Sequence, residues 1–101
     1  MLELNPNHME LIKKILAIYA KDQTVWAYGS RVKGTAHAGS DLDLVIVNND
    51  DTFNSESLSA LKAAFSESNL PISVDVLSWH DLPEYFNKIE IAKRHEVIQE
   101  A

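Results

Sequence analysis

Two aspartates one residue apart open an apolar run in the stretch "GSRVKGTAHAGSDLDLVIV", residues 29 to 47. Like charges this close repel each other unless water or a cation separates them. On a strand, residues i and i+2 share a face, so Asp41 and Asp43 point one way and Leu42, Leu44 and Ile46 the other. Another carboxylate, Asp75, stands in "SVDVL" between Val74 and Val76. An unpaired carboxylate inside an apolar strand is costly, so its presence asks for a reason. If the two strands are neighbours, Asp41, Asp43 and Asp75 can converge, and gathered hard oxygen donors suit Mg²⁺ or Mn²⁺. Two such ions ~3.5–4 Å apart clamp the attacking and leaving oxygens of a phosphoryl displacement. The plainer alternatives are a solvated Asp-x-Asp at a strand start and a structural ion pair at Asp75. What favours the metal reading lies upstream. Gly29 and Ser30 end a strand with backbone N–H groups and a hydroxyl, as phosphate cradles do. Arg31 and Lys33 make a small basic island beside them, where a polyanion would sit; Arg31 either steadies phosphate charge or is a solvated loop arginine.

The elements that must position these groups follow from periodicity. Asn5-Pro6 reads as a cap and a first-turn proline, opening a helix through about Lys21. Met9, Ile12, Ile15, Leu16 and Tyr19 fall at helical spacing and are expected to face the core. Thr24 to Tyr28 is a short strand stopped by Gly29. Residues 30 to 39 form a loop with room for one helical turn, in which Gly34 and Gly39 serve loop geometry. "DLDLVIV" is the second strand, and "NNDD" at 48 to 51 is turn-like. Ser55 is expected to cap a helix carrying Leu58, Leu61 and Phe65, which "NLP" at 69 to 71 ends. "ISVDVL" is the third strand. A turn at Asp81 and Pro83 leads to a helix reaching about Arg94, and "EVIQ" is a short fourth strand. The first two strands are joined by too few residues for a parallel crossover, so that pair is expected to be antiparallel and the sheet mixed. The expected class is α/β (α+β), a mixed sheet of three to four strands covered by helices, forming one domain over residues 1–101.

With 46% hydrophobic and 24% charged residues the chain has the balance of a globular protein. It contains no cysteine, which excludes disulfides and thiolate metal sites. No apolar run approaches the ~18–20 residues of a membrane span, and no basic-then-apolar leader opens the sequence; the expectation is a cytoplasmic protein with no membrane contact. Net charge is −6, from 15 acidic and 9 basic residues, which argues against direct nucleic-acid binding through a basic face. A nucleotide substrate is still allowed, because divalent cations bridge carboxylates to phosphates.

Gly-Ser, ten residues, then Asp-x-Asp, with the third carboxylate in "VDVL", resembles the signature of the nucleotidyltransferase superfamily related to DNA polymerase β. The Gly-Ser-Arg start, the glycine three residues on and Ser-Asp-x-Asp-Leu look like its minimal nucleotidyltransferase (MNT) branch. The resemblance covers nearly the whole chain and implies the nucleotidyltransferase fold. It implies that Asp41 and Asp43 hold two Mg²⁺ ions, with Mn²⁺ as a substitute, and that Asp75 completes the site of the ion that activates the nucleophile. Gly29 and Ser30, with Arg31 beside them, would hold the β- and γ-phosphates of a nucleoside triphosphate, ATP by analogy. An acceptor hydroxyl attacks the α-phosphorus and pyrophosphate leaves. The resemblance further implies a HEPN-domain toxin as partner, with transfer of AMP to a hydroxyl of that protein.

A second reading is a non-catalytic antitoxin that blocks a HEPN ribonuclease by contact, its acidic surface covering a basic RNA-binding face. A pure binder has no need of three convergent aspartates, which favours the enzyme. An antibiotic-modifying nucleotidyltransferase usually carries a further domain. The chain is short for building its own nucleobase pocket and acceptor platform, so a partner or a second copy, in a homodimer or hetero-oligomer, is expected to supply one wall. Arg31-x5-His37 imitates the spacing of HEPN ribonucleases, but that family carries its motif on a helical bundle and this one lies in a glycine-bearing loop. His8, His80 and His95 lack ligand-like spacing and are read as surface or helix-end residues. Trp26, Trp79, Tyr85 and Phe86 are read as core. Lys88, Lys93 and Arg94 are placed towards the end of the last helix, where cations suit the dipole.

Overall fold

A computed structural model describes residues 4–34, 41–47, 53–82 and 88–101 of the chain. Helix α1 (Pro6–Tyr19) starts where the sequence places it: the Asn5 side chain accepts from the Asn7 backbone N–H at 2.8 Å, and Pro6 occupies the first turn. Its core stripe is Ile12, Ile15 and Leu16, continued by Ala20 just past the helix end. Tyr19, expected in that stripe, is 43% exposed. The stripe passes to Ala20, four residues after Leu16, and leaves Tyr19 at the rim. Strand β1 (Val25–Tyr28) and the one-turn helix α2 (Ser30–Lys33) follow, then strand β2 (Leu42–Ile46). The cap of helix α3 (Ser55–Ser66) is Asn54 and not Ser55: the Asn54 Oδ1 accepts from the Ser57 backbone N–H at 3.0 Å. Strand β3 (Val74–Ser78) runs into a 3₁₀ turn at Trp79–Asp81, and helix α4 (Lys88–Lys93) precedes strand β4 (Glu96–Gln99). Gly39, His37, the turn at 48 to 51, Pro83, Tyr85 and Phe86 lie outside the described residues.

The sheet order is β3-β2-β1-β4. β1 is antiparallel to both β2 and β4, as the short β1–β2 connection requires, and β2 is parallel to β3 with α3 in the crossover. The expected fourth strand is present. Gln99 at its end ties it down, its Nε2 donating to the Ala20 and Gln23 carbonyls at 2.7 and 2.9 Å.

Alternation sorts the strand residues onto two faces. Val25, Ala27, Leu42, Leu44, Ile46 and Val76 pack against Ile12 and Leu16 of α1 and Leu61 and Phe65 of α3. The other face carries Tyr28 and Val45 with Leu82 and Ile91, joined by half-buried Trp26, Leu77 and Trp79. There the Trp26 ring meets Trp79 edge-on at 5.7 Å between centroids and stacks on His95 at 3.7 Å. His95 is thus a helix-end residue, as expected, but one fixed by a ring stack and by its Nδ1 at 3.0 Å from the Ile91 carbonyl. Lys93 lies in the last turn of α4, and Lys88 holds its ammonium 5.4 Å from the Trp79 ring centre. Among the described residues no helix is long and apolar enough to cross a membrane.

Candidate active site

The second face is polar at one end, and register explains why. Asp43 in β2 is the partner of Tyr28 across the antiparallel ladder and of Asp75 across the parallel one. Residues paired across strands share a face, so Tyr28, Asp43 and Asp75 form a row spanning three strands. Asp41 sits one residue before β2 and is exposed. Asp75 is exposed too, because β3 is an edge strand, and only Asp43 is half-buried. The expense anticipated for Asp75 in an apolar strand is therefore small: the edge leaves it wet.

The charges act on one another. Burial, then Asp75, then Asp41 push the Asp43 carboxyl up to about 6. Burial, then Asp43 and Asp75, push the Tyr28 phenol up to about 12, so it keeps its proton at neutral pH. Tyr28 is a site residue that the sequence reading did not single out. The signal was available, since an antiparallel β1–β2 pair turning at Gly29 sets the last β1 residue opposite the second aspartate.

Gly29 has φ +85°, and a Cβ there would run into the Asp43 Oδ2. The glycine therefore lets the strand end turn sharply into α2 and lets the carboxylate lie directly over its backbone. The Val32 N–H donates to the Gly29 carbonyl at 3.1 Å, closing that turn, and Gly34 at φ +80° ends it. Gly29→Ala is expected to cost about 1–3 kcal/mol from the positive φ alone, with the Asp43 collision added. At about 4–8 °C per kcal/mol for a domain of this size, the melting temperature drops by at least about 4 °C and transfer activity falls with it. A variant with wild-type melting and activity would contradict this packing.

Ser30 opens α2; where its hydroxyl and the Lys33 ammonium lie is outside what is described. Arg31 is only 8% exposed and is partnered within the fold, which corrects the solvated-loop alternative. An open cavity of ≈ 360 Å³ adjoins the carboxylates, lined by Tyr28, Asp43, Lys62 and Asp75 among others. Lys62, from α3, was also missed: helical spacing puts it beside the core stripe with nothing local to mark it. Among the described residues no three His, Cys, Asp or Glu side chains form a ready-made metal cage. The donor set nevertheless fits Mg²⁺, which is usually held by one or two carboxylates together with water and substrate phosphates and not by an all-protein shell. Burial raises the Asp43 carboxyl most, and Asp75 and Asp41 raise it further by crowding negative charge that a cation would offset.

Residues 10–101 match the family described as polymerase beta, nucleotidyltransferase. The chain belongs to that family. It is 44% identical over 99 residues to the probable protein adenylyltransferase MntA of Haemophilus influenzae, covering 98% of this chain and 85% of that one. Its fold is similar to that of a mutant toxin–antitoxin pair MntA–HpeT, with a TM-score of 0.69 at 17% identity, over 97% of this chain and 75% of the other. A toxin–antitoxin structure with AMP-PNP gives a TM-score of 0.58 at 17% identity, over 92% and 73%. At those identities the solved structures establish a shared fold. The mixed four-stranded sheet is thus a nucleotidyltransferase sheet, and the resemblance read from Gly29 to Asp43 is to the right family.

Proposed function

We propose that this nucleotidyltransferase moves AMP from ATP to a hydroxyl of a partner protein in the cytoplasm, and that the partner is a HEPN-type toxin which the modification silences. The observation that carries the reading is the in-register pair Asp43–Asp75 lying beside the Gly29 turn. The adenylyl donor and the toxin partner rest on the likeness to MntA and on the AMP-PNP named for the toxin–antitoxin structure.

The residues divide the work. The backbone around Gly29, with Ser30, holds the β- and γ-phosphates, and Arg31 on the same short helix adds positive charge nearby. Asp41 and Asp43 would hold two Mg²⁺ ions, and Asp75 one of them. When bound, these ions neutralise charge on the attacking and leaving oxygens. The chain itself aligns the acceptor oxygen with the α-phosphorus, which is most of what phosphoryl transfer asks of a protein. A bond forms from acceptor oxygen to α-phosphorus, the bond to the β-phosphate oxygen breaks, pyrophosphate leaves and the hydroxyl proton passes to solvent. Tyr28, kept as a phenol, is an O–H donor beside Asp43 and not a base.

Intact-mass measurement of the partner, co-expressed with this chain, tests the proposal. The partner is expected to gain the mass of a nucleoside monophosphate, and to lose that gain with Asp43→Ala. A partner of unmodified mass that is still neutralised would instead support a binding antitoxin.

A further inference from the structure

Among the described residues β3 is the outermost strand on its side of the sheet, with β2 as its neighbour. The Leu42 N–H donates to the Ser73 carbonyl at 2.9 Å, and Leu42 is the register partner of Val74. In a parallel ladder this pattern turns the Val74 N–H and C=O away from β2, toward the open edge. Along that edge run two cavities. One, of ≈ 360 Å³, is lined by Asp43 and Asp75; the other, of ≈ 400 Å³, by Phe65, Pro71 and Ser73. Lys62 and Val74 line both, so the two adjoin at these residues and make a two-part groove with the carboxylates in its first part. Lys62 is exposed and is the cation among their described lining residues.

Resting on the transfer reaction above, we infer that this groove seats the acceptor: an extended segment of the partner protein that pairs along β3 and sets an acidic side chain against Lys62. In-line displacement places attacking and leaving oxygens on opposite sides of the phosphorus. The phosphate cradle at Gly29 follows β1, on one side of Asp43, and the groove, which touches Tyr28 at one end, runs from Asp43 toward the β3 edge on the other. Donor and acceptor therefore approach Asp43 from opposite flanks. Outward backbone groups on an edge strand are a template for an added strand, which supplies affinity without demanding a particular sequence. Lys62 supplies the charge match, in a chain otherwise acidic at −6.

Steady-state transfer from labelled ATP to the full partner protein, in wild type, Lys62→Glu and Val74→Pro, tests the inference. Proline at Val74 removes an N–H that faces away from β2, a position an edge strand tolerates. Each variant is expected to raise the acceptor KM by roughly tenfold or more, while the ATP KM changes by far less. Should Val74→Pro fail to fold, Lys62→Glu at an exposed helix position decides alone. An unchanged acceptor KM in Lys62→Glu overturns the groove, and so does a rise confined to the ATP KM. Absence of transfer by the wild type overturns the underlying reaction, which is a different result from wild-type transfer with unaffected variants.

Discussion

Asp43→Ala is expected to lower nucleotidyl transfer by at least about a thousandfold while the protein stays folded. Asp43 is the centre of the row, paired with Tyr28 on one side and Asp75 on the other. Removing a single fixed donor from a preorganised charged site costs on the order of 10²–10³ in rate. Asp43 is proposed to hold both ions, so its loss exceeds that range and acts on turnover, since charge stabilisation is needed most in the transition state. Asp41→Ala is expected to behave alike. Ser30→Ala is expected to lose much less, because backbone N–H groups at the Gly29 turn still hold the phosphates. Single-turnover rates with saturating ATP and partner separate these outcomes. Equal losses for Ser30→Ala and Asp43→Ala would contradict the assignment of roles.

Asp43→Asn is expected to make the ligand-free protein more stable at neutral pH. The folded state raises the Asp43 carboxyl to about 6, well above the usual carboxylate value near 3.8. A group raised in this way binds a proton more readily folded than unfolded, so its ionised form penalises folding above pH 6. The penalty is relieved as pH falls through 6 and is gone near pH 4, where the folded protein is fully protonated and the unfolded chain begins to follow. The asparagine variant should therefore melt higher than wild type at pH 7.5, by about 1–2 kcal/mol once solvent screening at a half-buried position is discounted, and the gap should close by pH 4. Mg²⁺ with ATP reverses the order, because only the wild type gains binding energy; at a hundred times Kd that gain is about 2.7 kcal/mol. Melting curves across pH, with and without Mg²⁺ and ATP, check both halves. A gap independent of pH would show that ionisation of a buried, crowded Asp43 is not its cause.

Much of this site is legible in the sequence because strand alternation is a two-way choice. Once β2 is read as a strand, Asp43 must oppose Leu42 and Leu44, and once β3 is its neighbour, Asp75 falls beside it. The antiparallel first pair followed from loop length, and the short last strand from "EVIQ". Other features depend on facts that no local pattern carries. Whether Arg31 is buried or solvated depends on how α2 settles against β1 and on a partner supplied by the fold. That Asp75 is exposed depends on β3 being an edge, which is a property of strand order. His95 finds Trp26 only because β4 lies beside β1. The move of the α3 cap from Ser55 to Asn54 is a smaller matter, since asparagine and serine cap about equally well and adjacent candidates compete. Tyr28 could have been found from the β1–β2 register; Lys62 could not.

The central claim is that the carboxylate row drives group transfer and does not merely shape a binding surface. Incubating labelled ATP and Mg²⁺ with the purified chain and its proposed toxin partner tests this most directly. The account predicts label on the partner with wild type, none with Asp43→Ala, and neutralisation of the partner that tracks the label. Neutralisation by Asp43→Ala equal to that by wild type, with the partner unlabelled in both, would contradict it.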